Sequence, residues 1–263
     1  MSATYVTTAI DTRGVATVTL DNPAKHNAFD DTIIAELTAA FVAVDKNPAV
    51  RVMVLASSGR NFSAGGDLNW MKRMASYSHE ENLQDAQALA KLLRVLNFMG
   101  KPTIARIQGA ALGGAVGLVS CCDMAVATER ASFSLSEVKI GLMPATISPY
   151  VVAAMGQRAC RRYFTTAERF SAEEALRLGL VSQVVSDEDA LDTAVAALVE
   201  QLLANSPAAV AAAKKLVFEV AGQVIDETLI AMTCERIADI RASAEGQEGL
   251  SAFLEKRSPQ WIQ

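Results

Sequence analysis

The sequence predicts an α/β fold, in which strands and helices alternate over most of the chain and helices alone fill its last part. Two observations lead to this prediction. Short runs rich in β-branched residues recur through the first half, and segments with apolar residues at helical spacing separate them. Hydrophobic residues make up 51% of the 263 residues but aromatic residues only 6%, which indicates a core of Ala, Val and Leu, as in α/β enzymes.

The first elements are predicted to be a hairpin, a helix and a buried strand. Residues 6–10 and 15–20 are β-branched runs on either side of the turn DTRG, which predicts two paired strands. Residues 30–46 begin with an Asp pair and repeat apolar residues at helical spacing, so we predict a helix there. The apolar run at 51–57 then predicts a buried strand.

The middle of the chain repeats this alternation. Leucines and alanines at three- and four-residue spacing predict a helix over 80–99, and strands are predicted at 103–107 and 123–129. Strands that alternate with helices indicate βαβ units, whose sheet is covered by helices on its faces.

Helices dominate the rest of the sequence. Strand patterns become rare after about residue 145, apart from the run VSQVV at 181–185. Helical patterns cover residues 187–204, 208–222, 225–242 and 245–256. We therefore predict a core over residues 1–195 and a C-terminal helical region over residues 196–263.

The composition argues against several classes of function. The net charge is −5 and no long basic run is present, so a nucleic acid is not the expected partner. No apolar stretch of about 18 residues predicts a membrane span, and the N-terminus lacks the profile of a signal peptide. Four cysteines without C-x-x-C spacing are typical of reduced thiols, so we expect a cytoplasmic protein. Two histidines without the flanking motifs of a metal site or a triad predict no metal site.

Two glycine-rich segments each follow a predicted strand. They are RNFSAGGDL at 60–68 and GAALGGAVGL at 109–118. A glycine-rich turn from strand to helix lets backbone N–H groups point into a cleft without obstruction by side chains. Two converging N–H groups would form an oxyanion hole, which stabilises an enolate or a tetrahedral oxyanion. The alternative is that these glycines only permit close packing of a helix on the sheet.

Glu137 is the candidate acid or base. It lies in an otherwise apolar stretch, SFSLSEVKIGLMP at 132–144. Burial in an apolar cleft would raise its pKa and suit it to transfer protons. The alternative is an exposed glutamate paired with Lys139.

Six motifs follow one another along the chain and resemble one family. They are DNPAKHNAF (21–29), NFSAGGDL (61–68), QGAALGGAVGL with CCDMAVA (108–127), SEVKIGLMP (136–144), ALRLGLVSQVV (175–185) and GQEGLSAFLEKRSP (246–259). In this order they resemble the crotonase (enoyl-CoA hydratase/isomerase) superfamily over essentially the full chain. The resemblance implies a spiral of ββα turns with a C-terminal helical trimerisation region, and a homotrimer or a dimer of trimers.

The resemblance also implies the residues of the site. The substrate would be an acyl-CoA thioester, so coenzyme A is part of the substrate and no separate cofactor is expected. The backbone N–H groups of Gly66 and Gly114 would form the oxyanion hole. The residues implied to contact CoA are Ala24, Lys25, His26, Ala64, Gly66 and Leu68. The residues implied to line the acyl pocket are Trp70, Met71 and Met74.

Two residues near the C-terminus match positions that act between subunits. Phe253 and Lys256 would reach the CoA that is bound to a neighbouring subunit of the trimer. Without the resemblance, Lys25 and Lys256 would be taken for ordinary surface lysines, and Trp70 for an ordinary core residue.

One position departs from the family pattern. Typical enoyl-CoA hydratases carry two glutamates; Glu137 matches the second, whereas Gly117 stands at the position of the first. The motifs GLVSCCDMA and SAEGQEGL resemble bacterial hydratases of 3-methylglutaconyl-CoA and isohexenylglutaconyl-CoA, which act in leucine and acyclic terpene degradation. The resemblance therefore implies hydration of a branched 2-enoyl-CoA. We expect Gly117 to leave room for this substrate, whose distal carboxylate, or a polar group of the pocket, would help to hold the water.

Other functions are compatible with a single glutamate. It is also the pattern of Δ3,Δ2-enoyl-CoA isomerases, in which one base moves a proton between two carbons. A non-catalytic CoA-binding member is a second alternative, whereas the acidic composition argues against an RNA-binding member. The usual P-G-x-G-G-T-Q segment is replaced by PATISP at 144–149, which would reshape the acyl pocket.

Overall fold

The structure, a computed structural model, describes residues 4–262 and consists of strands that alternate with helices before an all-helical end. The strands are, in chain order, β1 (Val6–Ile10), β2 (Val15–Leu20), β3 (Val52–Ser57), β4 (Thr103–Ile107), β5 (Ala111–Leu112), β6 (Met124–Thr128), β7 (Ser132–Ser134), β8 (Phe170–Ser171) and β9 (Gln183–Val185). The helices are α1 (Asp31–Lys46), α2 (Leu68–Met74), α3 (His79–Asn97), α4 (Gly114–Cys121), α5 (Ser148–Met155), α6 (Gln157–Thr166), α7 (Ala172–Arg177), α8 (Glu188–Leu203), α9 (Pro207–Val220), α10 (Glu227–Ala242) and α11 (Ala244–Glu255). The predicted α/β class is confirmed.

The chain opens with the hairpin that the sequence predicts. β1 and β2 pair antiparallel. Asp11 closes the turn between them, because its Oδ1 accepts hydrogen bonds from the N–H groups of Arg13 and Val15, both at 2.9 Å. Gly14 has a φ of +85°, and a Cβ there would lie 2.4 Å from the carbonyl oxygen of Ala49. Both the backbone conformation and the space therefore require glycine at this turn.

The main sheet has six strands in the order β1-β2-β3-β4-β6-β9, and all pairs after the hairpin are parallel. Alternate residues of β3 face opposite sides. Met53 and Leu55 pack in the cluster that includes α1, whereas Val52 and Val54 pack in the cluster that includes α8. All six residues of β3 are buried, as expected for a central parallel strand covered on both faces.

A second, smaller sheet positions the segments that carry the candidate site. It contains β5, β7 and β8. β5 leads directly into α4, and β7 leads into a 3-10 turn at Glu137–Ile140. The pairing of β5 with β7 continues in a hydrogen bond of 2.8 Å from the N–H of Gly113 to the carbonyl oxygen of Ser134. This sheet therefore holds the start of α4 beside the segment that contains Glu137.

The C-terminal helices bury little within one chain. No residue of α9 or α10 is fully buried, and Ala252 is the buried residue of α11. Several large apolar side chains remain exposed on these helices and the turns between them, including Val217, Ile225, Phe253 and Leu254. An apolar surface of this kind is typical of a region that contacts another molecule.

The predicted division at residue 195 falls inside α8. This helix packs on β3, β4 and β6, so its contacts belong with the sheet. The two-part division itself stays a prediction. Within residues 4–262, no single helix has the length and apolar character needed to cross a membrane, and α8 with α9 meets those criteria only as a pair bent by 105°.

Candidate active site

The two glycine-rich segments meet in space. The N–H of Ser63 donates to the carbonyl oxygen of Ala110, and the N–H of Leu112 donates to that of Ser63, both at 3.0 Å. A Cβ on Gly65 would lie only 2.9 Å from the carbonyl oxygen of Leu112. Glycine at position 65 therefore permits the close approach that brings Gly66 and the start of α4 to one cavity.

The backbone N–H groups of Gly66 and Gly114 are free for a ligand. Gly66 forms a parallel bridge with Phe29, but the bridge uses the carbonyl oxygen of Gly65 and the N–H of Asp67 instead. Gly114 is the first residue of α4, where N–H groups lack a partner within the helix. Neither N–H has a hydrogen-bond acceptor among residues 4–262. Two unused donors at one cavity have the arrangement that an oxyanion requires.

The cavity has a volume of about 480 Å³. Gly66, Gly114 and Glu137 all line it, and most of the remaining wall is apolar. The apolar lining residues include Phe29, Trp70, Met71, Met74, Leu89, Met143 and Ile147. The predicted catalytic residues are thus brought together at a largely apolar pocket, which is the usual form of a small-molecule site.

Glu137 lines this cavity and carries a carboxylate oxygen without a partner. Its Oε2 is buried and makes no hydrogen bond within the described residues. Burial raises the pKa of Glu137 above its ordinary value. Lys139 lines the same cavity but forms no ion pair with Glu137 in the described part of the chain. The carboxylate therefore has the environment of a proton-transfer group and not of a surface ion pair.

Lys25 is held beside the first glycine-rich loop. Its Nζ lies 2.9 Å from Oδ2 of Asp67, whose Oδ1 accepts hydrogen bonds from the N–H groups of Asn69 and Trp70 in the first turn of α2, at 2.8 and 3.1 Å. The hydrogen bond from Lys25 is the main cause that lowers the pKa of Asp67. Asp67 was not singled out from the sequence, although an aspartate directly before a helix is the usual N-cap signal.

The other N-terminal residues lie against the same loop. The N–H of Ala64 donates to the carbonyl oxygen of His26 at 3.0 Å, and the His26 ring nitrogen Nδ1 lies 3.2 Å from Nδ2 of Asn61. Ala24 is exposed on the adjoining 3-10 turn, and Leu68 is exposed at the cavity, with 74% of its surface accessible. The predicted CoA-contacting residues of the N-terminal half are therefore neighbours, and their contact with CoA stays a prediction.

Asn27 joins the N-terminal motif to this loop. Its Nδ2 donates to the carbonyl oxygens of Ser58 and Asn61, at 2.7 and 3.0 Å, and its Oδ1 accepts from the N–H of Asn22 at 2.9 Å. His26 and Asn27 both have a positive φ, near 53° and 54°, which asparagine tolerates better than most residues. The turn that carries Lys25 is thus fixed by a buried amide.

Trp70 is fixed by a residue that the sequence did not reveal. It is buried in the cavity wall, and its Nε1 donates to Oδ1 of Asp85 on α3 at 2.9 Å. Burial raises the pKa of Asp85. Met71 and Met74 line the cavity beside Trp70, and their contact with an acyl chain stays a prediction. Asp85 lies in a helical segment with no motif around it, so no sequence signal distinguished it.

The expectation that Gly117 leaves room for substrate is corrected by the structure. A Cβ on Gly117 would lie 2.3 Å from Cγ2 and 2.8 Å from Cβ of Ile147. Ile147 is buried and itself lines the cavity. The space beside Gly117 is therefore filled by this side chain, which comes from the segment that departs from the P-G-x-G-G-T-Q pattern.

Phe253 and Lys256 are not brought to the cavity of their own chain. Phe253 lies on α11 with 82% of its surface exposed, and Lys256 ends that helix with a φ of 56°. Neither residue lines the cavity that holds Glu137. Their predicted contact with the CoA of a neighbouring subunit stays a prediction.

Comparisons with known proteins identify the family of this chain. The enoyl-CoA hydratase/isomerase family matches residues 11–263. A 2,3-dehydroadipyl-CoA hydratase of Escherichia coli (strain K12) is 31% identical over 246 residues, which cover 93% of this chain and 94% of the relative. The mevalonyl-coenzyme A hydratase sidH of Aspergillus fumigatus is 33% identical over 249 residues, which cover 93% and 90%.

The fold agrees with that of solved structures in the same family. The crystal structure of an enoyl-CoA hydratase from Shewanella pealeana is 50% identical in sequence and superposes with a TM-score of 0.95, over 99% of this chain and 97% of that chain. This similarity confirms the crotonase-like α/β fold. The chain therefore belongs to the enoyl-CoA hydratase/isomerase family, and it is a hydro-lyase that acts on enoyl-CoA thioesters.

Proposed function

We propose that this protein hydrates a branched 2-enoyl-CoA of the 3-methylglutaconyl-CoA or isohexenylglutaconyl-CoA type, with Glu137 as its single acid–base group. One observation carries the proposed mechanism. Glu137, whose Oε2 is buried and unpartnered, lines the same cavity as Gly66 and Gly114, and the backbone N–H groups of both glycines are free.

In this mechanism the thioester oxygen accepts hydrogen bonds from the N–H groups of Gly66 and Gly114. Each donor contributes about 3 kcal/mol to stabilisation of the enolate. The carboxylate of Glu137 removes a proton from water as the water oxygen bonds to C3, and it returns a proton to C2. One water molecule is consumed and no redox step occurs. Proton transfer of this kind contributes about 10²–10⁴-fold in rate.

The names of two relatives support the proposed acyl group. The Escherichia coli relative is named for a dehydroadipyl thioester, which has a carboxylate at the distal end of the acyl chain, and the Aspergillus fumigatus relative for a mevalonyl thioester, which has a methyl branch at C3. Lys139 lines the cavity without an ion-pair partner in residues 4–262. We propose that Lys139 receives the distal carboxylate of the substrate.

A panel of four acyl-CoA substrates tests this proposal. It combines a straight or branched chain with the presence or absence of a distal carboxylate, and kcat/KM is measured for each. We expect the branched glutaconyl thioester to be the best substrate. Lys139→Met should raise its KM about tenfold, with little change for 3-methylcrotonyl-CoA. Lys72→Met, an exposed lysine of α2 away from the cavity, is the matched control. Equal kcat/KM values across the panel would contradict the proposed specificity.

The second candidate function is a Δ3,Δ2-enoyl-CoA isomerase. It is favoured by the single carboxylate and by Gly117 at the position of the other family glutamate. Incubation with a 3-enoyl-CoA distinguishes the two activities, because an isomerase produces the conjugated thioester without consuming water.

We also propose that the protein forms a homotrimer or a dimer of trimers through α9, α10 and α11. The exposed apolar side chains of these helices support this proposal. Light scattering should give a mass of three or six chains. If Lys256 contacts the CoA of a neighbouring subunit, Lys256→Ala should raise KM for every CoA thioester without changing the assembly. A fully active monomer would contradict the proposal.

We propose a cytoplasmic location. All four cysteines are free thiols in the structure, which suits a reducing compartment. Cell fractionation with an antibody to the full chain tests this proposal, and recovery in the membrane or extracellular fraction would refute it.

A further inference from the structure

Gly117 and Ile147 share one space, although 29 residues separate them in sequence. Gly114 and Gly117 are three residues apart on α4, so their side-chain positions lie on the same face of the helix. Gly114 lines the cavity. A side chain at position 117 would therefore project from the face of α4 that borders the acyl pocket.

Ile147 occupies this space instead. Its Cγ2 and Cβ would lie 2.3 and 2.8 Å from a Cβ on Gly117, distances that carbon atoms cannot adopt. Leu93 adds a third contact at 3.3 Å. Because Ile147 is 2% exposed and packs in the main core, it cannot swing aside into solvent. Position 117 must be glycine for as long as position 147 carries this side chain.

The presence of Ile147 where a side chain at position 117 would stand also changes the chemistry of the pocket wall. A carboxylate at position 117 would stand one helical turn from the N–H of Gly114. In its place stands Ile147, an aliphatic side chain that belongs to the cavity lining. The wall next to the oxyanion donors can pack against an apolar branch of the substrate, and it offers no acceptor to a water molecule.

We propose that Ile147 determines specificity by receiving the substituent at C3 of the acyl chain, and that it excludes a second carboxylate from the site by filling the space beside Gly117. The inference rests on the proposed function, because it takes the branched thioester as substrate. Positions 147 and 117 are then coupled by sterics, because only one of the two can carry a side chain in the shared space.

Unfolding experiments test the shared space independently of any substrate. Gly117→Ala should lower the melting temperature strongly in the wild-type background and much less in the Ile147→Gly background. Gly100→Ala is the matched control, since the nearest atom to its added Cβ is Oδ1 of Asp45 at 3.4 Å and its φ is not positive. An equal effect of Gly117→Ala in both backgrounds would overturn the claim that the two positions share one space.

Steady-state kinetics test whether Ile147 determines the preference for a branch at C3. The ratio of kcat/KM for 3-methylcrotonyl-CoA to that for crotonyl-CoA isolates the branch at C3, because neither thioester has a distal carboxylate. Ile147→Gly should lower this ratio by about tenfold or more, the usual effect of one methyl contact in an apolar pocket. Ile147→Ala serves the same purpose if the glycine variant does not fold. An unchanged ratio in a folded variant overturns the role of Ile147 in specificity.

The two proposals can fail separately. A wild-type enzyme that hydrates only straight-chain thioesters would refute the proposed substrate, and the unfolding experiments would still decide whether positions 117 and 147 share one space. A wild-type enzyme that prefers the branched glutaconyl thioester, combined with an unchanged ratio in the Ile147 variants, would leave the proposed substrate in place and refute the role of Ile147.

Discussion

Gly114→Ala should reduce hydration sharply because it displaces one of the two proposed oxyanion donors. A Cβ at position 114 would lie 2.7 Å from Cζ and 2.9 Å from Cε2 of Phe29. Since carbon atoms pack at about 3.5–4.0 Å, the helix start and the ring must separate by about 0.8 Å or more. Phe29 is buried, and its N–H is bonded to the carbonyl oxygen of Gly65 at 2.9 Å, so much of this shift falls on α4.

The size of the loss follows from this displacement. Misplacement of a catalytic group by about 1 Å costs about 10²-fold in rate, which corresponds to about 2.7 kcal/mol of transition-state stabilisation. The assay is steady-state hydration of an enoyl-CoA, followed by loss of the absorbance of the conjugated thioester. Circular dichroism and the melting temperature establish that the variant is folded.

Gly66→Ala provides the matched comparison, because it alters the other proposed donor without overlap. Its Cβ would meet Trp70 at 3.6 Å and Met71 at 3.8 Å, which are ordinary contacts. We expect a clearly smaller loss of kcat than in Gly114→Ala. Adding Phe29→Leu, which removes the outer ring atoms, should restore much of the activity of Gly114→Ala. Equal losses in the two alanine variants, or no rescue by Phe29→Leu, would refute the steric explanation.

Four further predictions concern Glu137, Lys25 and Trp70. Glu137→Gln should lower kcat by about 10²–10⁴-fold with thioester binding retained, and retained hydration in the variant would remove Glu137 from its role. The same variant should melt at a higher temperature than the wild type near pH 7, and this advantage should shrink as the pH falls into the ordinary glutamate range. The reason is that the pKa of Glu137 is raised by burial, so the carboxylate destabilises the fold only when it is ionised. Lys25→Met should lower the melting temperature at pH 7 but not in acid. The hydrogen bond from Lys25 lowers the pKa of Asp67, so the ion pair stabilises the fold fully above the ordinary aspartate pKa, and this contribution is lost as the pH falls through the lowered pKa. A pH-independent difference would contradict this. Trp70→Phe should cost about 1 kcal/mol in urea unfolding through the lost hydrogen bond to Asp85, and no change would mean that this bond contributes nothing net.

The elements with strong local patterns were predictable from the sequence. The hairpin, α1, β3 and β4 all lie within one or two residues of their expected bounds. The helix expected at 80–99 begins at His79 instead, because Ser78 and Glu81 form a capping box that fixes its start. Patterns of this kind depend on neighbours in sequence, which explains why they could be recognised there.

Features that depend on contacts between distant segments could not be predicted. β5 and β8 have two residues each, too few to show a period of alternation. The hydrogen bond from Trp70 to Asp85 and the packing of Ile147 on Gly117 depend on how separate helices meet. Gly117 departs from the family pattern in the sequence itself, but only the packing shows that Ile147 stands beside it.

The amide of Asn27 has a consequence for recombination between members of this family. Its Nδ2 donates hydrogen bonds from the N-terminal turn to the carbonyl oxygens of Ser58 and Asn61. The parallel bridge between Phe29 and Gly66 is a second contact between the N-terminal motif and the first glycine-rich loop. A crossover placed between residues 30 and 57 would pair a turn from one parent with a loop from the other. Chimaeric enzymes should therefore inherit residues 21–66 from a single parent, whatever the origin of the rest of the chain.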